Sequence, residues 1–221
     1  MDIELRKRNL NNKDNSIVKS IIFVMVVVIV VSLIGIGSYF ILLSNDNNEI
    51  KENKKSIDEI KIYNLRLNES DSEEFKSEFN NLKTILSKSE IDSEEYALSV
   101  AKLFVIDLYT MDSKINKYDV GGLELVLPSF KENYMLNVTN TIYNYLNDNT
   151  DGKRNQNLPH VSKVDVIKSD TKEYTINGDN TPYNAYVYNM KITYKYDLGY
   201  DSEVEVIVVN KDNFMYVVEK N

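Results

Sequence analysis

Residues 21–43 read IIFVMVVVIVVSLIGIGSYFILL, 23 residues without a charged side chain. A helix rises about 1.5 Å per residue, so this run would be about 35 Å long, against a bilayer hydrocarbon core of about 30 Å. Inside lipid every backbone N–H and C=O must be paired within the segment, so a helix is expected despite the many Val and Ile residues. The stretch constrains all that follows: the rest of the chain is expected to hang from a single membrane anchor, with the lipid bilayer as its first partner.

The flanks set the expected orientation. Arg6, Lys7, Arg8, Lys13 and Lys19 precede the span, and Asn45-Asp46-Asn47-Asn48-Glu49 follows it. Positive residues stay in the cytoplasm, so residues 1–20 read as a cytoplasmic tail and the chain beyond residue 43 as extracytoplasmic. A cleaved signal peptide would have a shorter apolar region ending in small residues. This one ends in Tyr39-Phe40-Ile41-Leu42-Leu43-Ser44, so an uncleaved anchor is expected. The chain has no cysteine. That excludes disulfides, thiol catalysis, iron–sulfur and zinc–thiolate sites, and a lipid anchor in place of the helix. The total charge is −8. Residues 1–20 carry +2, so the remainder carries −10. No nucleic-acid partner is expected from so acidic an outer segment, because such binding needs clustered Lys and Arg.

Residues 44–70 are polar and read as a spacer or stalk, although Ile60, Ile62, Tyr63, Leu65 and Leu67 also suit a short strand. A helix is expected from near Ser72, with Ser70/Glu73 and Asp71/Glu74 at capping-box spacing and Phe75, Phe79, Leu82 and Leu86 on one face. Asp92 with Glu95 opens a second, more apolar helix bearing Ala97, Val100, Ala101, Phe104, Val105 and Leu108. Gly121-Gly122 breaks the chain. Pro128 then suits the first turn of a third helix, with Phe130, Tyr134, Val138, Thr141, Ile142 and Tyr145 on its apolar stripe and an end near Asn147. Beyond Pro159 the period drops to two, which predicts strands at 161–169, 183–196, 204–210 and 214–219. Asn177-Gly178, Leu198-Gly199 and Lys211-Asp212-Asn213 supply turns. Short connections imply an antiparallel sheet. The expected class is α+β: three helices packed on a curved antiparallel sheet of about four strands, in one extracytoplasmic domain over residues 71–221.

The anchor, the spacer, the helix Glu95-Tyr96-Ala97-Leu98-Ser99-Val100-Ala101-Lys102-Leu103-Phe104, the helix entry Leu127-Pro128-Ser129-Phe130 and the long strands after it together resemble the nuclear transport factor 2-like fold on a single-pass anchor. Extracytoplasmic assembly proteins of bacterial conjugation and type IV secretion systems are built in this way. The resemblance implies a bent sheet wrapped around helices as a cone, and envelope proteins or a second copy as partners. Some relatives carry two such domains outside the membrane, whereas this chain has room for one.

Candidate chemistry is sparse. Tyr186, Tyr188, Tyr194 and Tyr196 alternate with Met190 and Ile192 on one strand face. They are the expected interaction or pocket face, since Tyr packs its ring, wets its hydroxyl and is enriched in interfaces. Enzymes of the resembled fold pair a Tyr with an Asp in the cone, which would make Asp107 or Asp165 the partner here. His160, the only histidine, sits at a loop-to-strand junction between Pro159 and Val161. Asn147-Asp148-Asn149-Thr150-Asp151-Gly152 begins like a calcium loop, but its twelfth position is Leu158 where a bidentate Glu belongs. A turn is expected there instead. No Ser lies in G-x-S-x-G or S-x-x-K surroundings. No catalytic residue, cofactor or metal is therefore expected. The leading expectation is a non-enzymatic, membrane-anchored assembly component that binds protein partners or itself. An extracytoplasmic ligand-binding or sensor domain is the alternative, and an enzyme of the same fold comes third.

Overall fold

The computed structural model describes residues 55–176 and 181–221. The apolar run 21–43 and the Asn177-Gly178 turn lie outside the described residues. Among the described residues no helix is long and apolar enough to cross a membrane. The described residues belong to one compact unit.

Helix α1 (Glu73–Leu86) starts at Ser72, whose hydroxyl accepts the Phe75 N–H at 3.2 Å. The cap thus falls one residue after Asp71 and two after Ser70, the starts of the two expected capping boxes. Asp71 instead accepts the Asn68 N–H at 2.7 Å and closes the turn before the helix. Phe75, Phe79, Leu82 and Ile85 form its buried face. Helix α2 (Ser93–Tyr109) begins at the expected Asp92, which accepts from Glu95 N–H at 2.8 Å. It is buried almost all round: Tyr96, Ala97, Val100, Ala101, Leu103, Phe104, Val105 and Leu108 belong to the main core. A helix with so wide an apolar surface is stable only when covered on several sides. It packs against α1 and all four strands of the main sheet.

That sheet consists of β3 (Val161–Thr175), β4 (Pro182–Tyr194), β5 (Glu203–Lys211) and β6 (Phe214–Lys220) in the order β3-β4-β5-β6, antiparallel throughout. The expected α+β class holds at this level, with three α-helices and a four-stranded antiparallel sheet. Tyr188, Met190 and Ile192 of β4, Val204, Val206 and Val208 of β5, and Met215 and Val217 of β6 turn to the helices. Ala185, Val187, Ile207 and Val209 point the other way and form a second, smaller cluster with Tyr174, Tyr183 and Val218. Asp212 and Asn213 both take positive φ, 55° and 68°, in the two-residue turn between β5 and β6. Asp and Asn tolerate that region better than other residues with a Cβ.

Two segments differ from the leading expectation. Residues 56–68, read chiefly as a spacer and alternatively as a short strand, form an antiparallel hairpin, β1 (Ser56–Ile60) and β2 (Leu65–Asn68), joined through Asn64 at φ 53°. Ile60, Tyr63, Leu65 and Leu67 are all buried in the main core. The folded unit therefore starts well before residue 71. The Tyr63 hydroxyl donates to the Met215 carbonyl at 2.7 Å and meets the Tyr96 hydroxyl. The Leu127 N–H donates to the Val217 carbonyl at 3.0 Å. Both contacts satisfy the outer edge of β6, the side a sheet must protect from stray pairing. The opposite edge, β3, is guarded differently: it carries Lys163, Asp165, Lys168, Asp170 and Lys172 and bulges between Val166 and Lys168.

Helix α3 (Lys131–Asn140), entered through a 3₁₀ turn at Pro128–Phe130, stops seven residues before the expected end. Thr139 and Thr141 return their hydroxyls to the Met135 and Asn137 carbonyls, the latter at 2.7 Å. Thr141 leaves the helical region at φ −120°, ψ −91°. Such back-bonding by Thr competes with the helix ladder. The break turns Tyr143 fully inward and leaves Tyr145 82% exposed rather than on a buried stripe.

Replacing Leu65 by Ala should cost about 2–5 kcal/mol, the usual loss for a buried Leu. Urea unfolding measures it. A change within about 0.5 kcal/mol, as for an exposed position, would mean that residues 56–68 behave as a spacer.

Candidate functional site

At the end of the sheet where β4 leaves, β5 enters and β6 finishes, five parts of the chain enclose an open cleft of about 460 Å³. Helix α2 contributes its last residue, Tyr109. The turn after α3 contributes Thr141, Ile142, Tyr145 and Leu146. Gln156 and Leu158 come from the loop before β3, Tyr200 and Asp201 from the β4–β5 connection, and Lys220 from the end of β6. The walls are thus apolar and aromatic, with a few polar heads among them. That is the usual construction of a small-ligand site, and the volume falls within the usual range.

The polar heads are available. Among the described residues the Tyr109 hydroxyl, the Asp201 carboxylate and the Lys220 ammonium have no hydrogen-bond or ion-pair partner. By contrast Gln156 is committed: it accepts from Asn147 N–H at 2.9 Å and donates to the Tyr145 carbonyl at 2.9 Å. That bracing holds the turn that presents Tyr145. Burial pushes the Tyr109 phenol up to about 12, helped by the negative charge of Asp201. It stays protonated throughout the neutral range. Burial lowers the Lys220 ammonium below the usual lysine value, against the opposing pull of Asp201. A charged group that burial penalises gains from a counter-charge brought to it.

The site expected from strand alternation is divided. Tyr186 and Tyr188 share one strand face, and that face turns to the helices, with their rings stacked at a centroid distance of 6.5 Å. The Tyr188 hydroxyl donates to the Glu94 carbonyl at 3.2 Å. These two rings pack in or against the core rather than lining the cleft. Tyr194 lies beside it: its hydroxyl donates to the Asp201 carbonyl at 2.9 Å, and its ring lies 6.4 Å from that of Tyr200. Tyr194 therefore braces the loop that carries Asp201. Tyr196 falls beyond the end of β4 and is 62% exposed. The alternation that would place it on the Tyr186 face has ended by then.

The proposed carboxylate partners are committed elsewhere. Asp107 forms a largely buried ion pair with Lys114 and accepts the Gly122 N–H at 2.6 Å. Burial opposes the Lys114 charge, but Asp107, Tyr143 and Asp119 together outweigh it and hold the ammonium above the usual lysine value. Tyr143 donates to the Leu108 carbonyl at 2.7 Å, and Tyr134 to the Gly121 carbonyl at 2.8 Å. The backbone packs so closely here that a Cβ on Gly121 would sit 2.1 Å from the Asp107 carbonyl oxygen. This network pins the loop after α2 onto the helix. Asp165 pairs with Lys163 at 2.8 Å on the exposed edge strand.

His160 lies between two carboxylates, with Nδ1 2.8 Å from Asp112 and Nε2 3.8 Å from Glu74. Among the described residues no hydroxyl is hydrogen-bonded to its ring. Residues 147–152 form a turn: Asp148 accepts from Thr150 N–H at 2.8 Å, Asp151 from Lys153 N–H at 3.1 Å, and Gly152 takes φ 70°. Among the described residues no group of three His, Cys, Asp or Glu is placed to hold a metal ion.

Sequence periodicity misses the cleft because its residues come from five separated segments. One local signal was present: Tyr196-Asp197-Leu198-Gly199-Tyr200-Asp201 puts two tyrosines in a glycine turn, where no core awaits them. Comparison with protein-family models, with curated proteins and with solved structures finds no match.

The raised Tyr109 pKa has a definite sign. Its phenol ionises at about 10 unfolded and at about 12 folded. The unfolded chain thus loses that proton first, and stability falls as pH rises from 10 to 12. The Tyr109 contribution is at most roughly 3 kcal/mol, from 1.36 kcal/mol per unit. Chemical denaturation through this window should show Tyr109→Phe losing less stability than the parent protein. Parallel losses would show that Tyr109 is not shielded.

Proposed function

We propose that this chain is a membrane-anchored extracytoplasmic binding protein. On this reading, residues 21–43 hold an α+β domain at the outer face of the membrane and the cleft takes up a small ligand. The observation that carries the reading is the trio Tyr109, Asp201 and Lys220, three polar heads without protein partners on aromatic walls. Asp107 and Lys114, by contrast, pair with one another within the protein. The three α-helices and four-stranded antiparallel sheet are compatible with the nuclear transport factor 2-like resemblance. A single apolar helix cannot form a transport path, so the anchor acts as a tether. Sensing or capture outside the membrane is the role that follows.

A second reading, an assembly component of a conjugation or secretion apparatus, is favoured by one further observation. Tyr145, Tyr196, Leu198 and Tyr200, all in the turn after α3 or the β4–β5 connection, are exposed. Exposed aromatic residues of this kind suit a protein partner. A photo-crosslinker at Tyr196 in intact membranes should then capture one defined envelope protein or a second copy. A ladder of unrelated adducts would count against assembly.

The ligand reading is tested by thermal-shift screening of the purified full chain against small amphipathic compounds. A true ligand at about a hundredfold above its Kd stabilises by about 2.7 kcal/mol. The stabilisation should vanish in Asp201→Asn/Lys220→Met. Compounds that stabilise parent and variant equally, or a screen without any stabilising compound, would contradict the reading.

A further inference from the structure

The cleft also restricts what the ligand can be, given that it is a ligand site at all. Its two unpartnered charges have opposite sign. Asp201 acts electrostatically on both Tyr109 and Lys220, so the three groups lie within one field. An anionic ligand would satisfy Lys220 but meet Asp201, in a segment that carries −10 outside the first twenty residues. A cationic ligand would satisfy Asp201 and leave the half-buried Lys220 facing a like charge. A neutral apolar ligand would strip water from both charges and pair neither, which is costly. A zwitterion pairs both and adds no net charge. The remaining wall, Met111, Ile142, Tyr145, Leu146, Leu158 and Tyr200, calls for an apolar or aromatic body.

We propose that the cleft binds a free α-amino acid with an apolar or aromatic side chain. Its carboxylate pairs with the Lys220 ammonium and accepts a hydrogen bond from the Tyr109 hydroxyl. Its ammonium pairs with the Asp201 carboxylate, and its side chain lies against the Tyr145 and Tyr200 rings. Tyr109 can donate because burial keeps its proton on. The open cleft of about 460 Å³ admits the largest standard side chains.

The chain contains no tryptophan. L-tryptophan added to the detergent-solubilised full chain is therefore the only indole present, and its emission anisotropy reports binding directly. Two truncated probes separate the charges: tryptamine lacks the carboxylate, and indole-3-propionate lacks the ammonium. Saturable tryptophan binding that leucine and phenylalanine displace is expected. Lys220→Met should weaken tryptophan about tenfold or more while leaving tryptamine binding unchanged or tighter. Asp201→Asn should weaken tryptophan similarly and spare indole-3-propionate. Unaltered melting of both variants without ligand shows that they fold. The proposal is overturned if no apolar or aromatic amino acid saturates the parent protein, or if Lys220→Met binds tryptophan as tightly as the parent. If a ligand of another class emerges from thermal-shift screening and needs Asp201 or Lys220, the amino-acid proposal fails while the cleft remains a ligand site. If no class of compound binds there, both fail.

Discussion

The burial of α2 on nearly every side is the constraint that the other elements are arranged to meet. A helix carrying Ala97, Val100, Ala101, Leu103, Phe104, Val105 and Leu108 cannot lie on a surface. It needs α1 on one side and the concatenated inner faces of β4, β5 and β6 on another. Because α2 ends at Tyr109 while the core continues into the loop that follows, that loop has to be fixed to the helix end. Asp107 does this through Lys114 and the Gly122 N–H, with Gly121 allowing the close approach. The same arrangement presents Tyr109 at the edge of the core, half in an apolar setting and half toward the cleft.

Edge protection explains much of the remaining architecture. A four-stranded open sheet has two exposed edges, and each is a hazard. The β1–β2 hairpin and the Leu127 turn meet the outward carbonyls of β6. Charged side chains and a bulge blunt β3. The hairpin thus has a reason to be folded onto the domain although its sequence looks like a polar spacer. Where α3 breaks at Thr141, β6 ends and the β4–β5 connection turns back, no further element among the described residues covers the core. The cleft is the space these terminations leave.

Much of the fold was legible in the sequence because it rests on local periodicity. Asp92 and Glu95 marked the start of α2, and the change from a period of 3.6 to one of 2 after Pro159 marked the sheet. The misses have physical causes. Residues 56–68 hold only four buried side chains among charged neighbours, so the short alternation through Leu65 and Leu67 is outweighed by the polar composition. The break in α3 depends on threonine hydroxyls returning to the backbone, and propensity does not foresee it. Tyr186 and Tyr188 were placed on the correct face, but that face packs against the helices. Tyr196 was assigned to a strand that ends two residues earlier. The candidate site itself was not legible, since Tyr109, Asp201 and Lys220 meet only through tertiary closure. Their chemistry is visible only as side chains left without partners.

The central claim is that ligand recognition belongs to this cleft and not to the strand face bearing Tyr186 and Tyr188. Solution NMR of the ring-labelled tyrosines tests it most directly, with an apolar amino acid titrated into the protein. The account predicts that Tyr109, Tyr145 and Tyr200 signals shift together and saturate at one concentration, while Tyr186 and Tyr188 signals stay in place. Shifts confined to Tyr186 and Tyr188, or no saturable shift at any tyrosine, would contradict it.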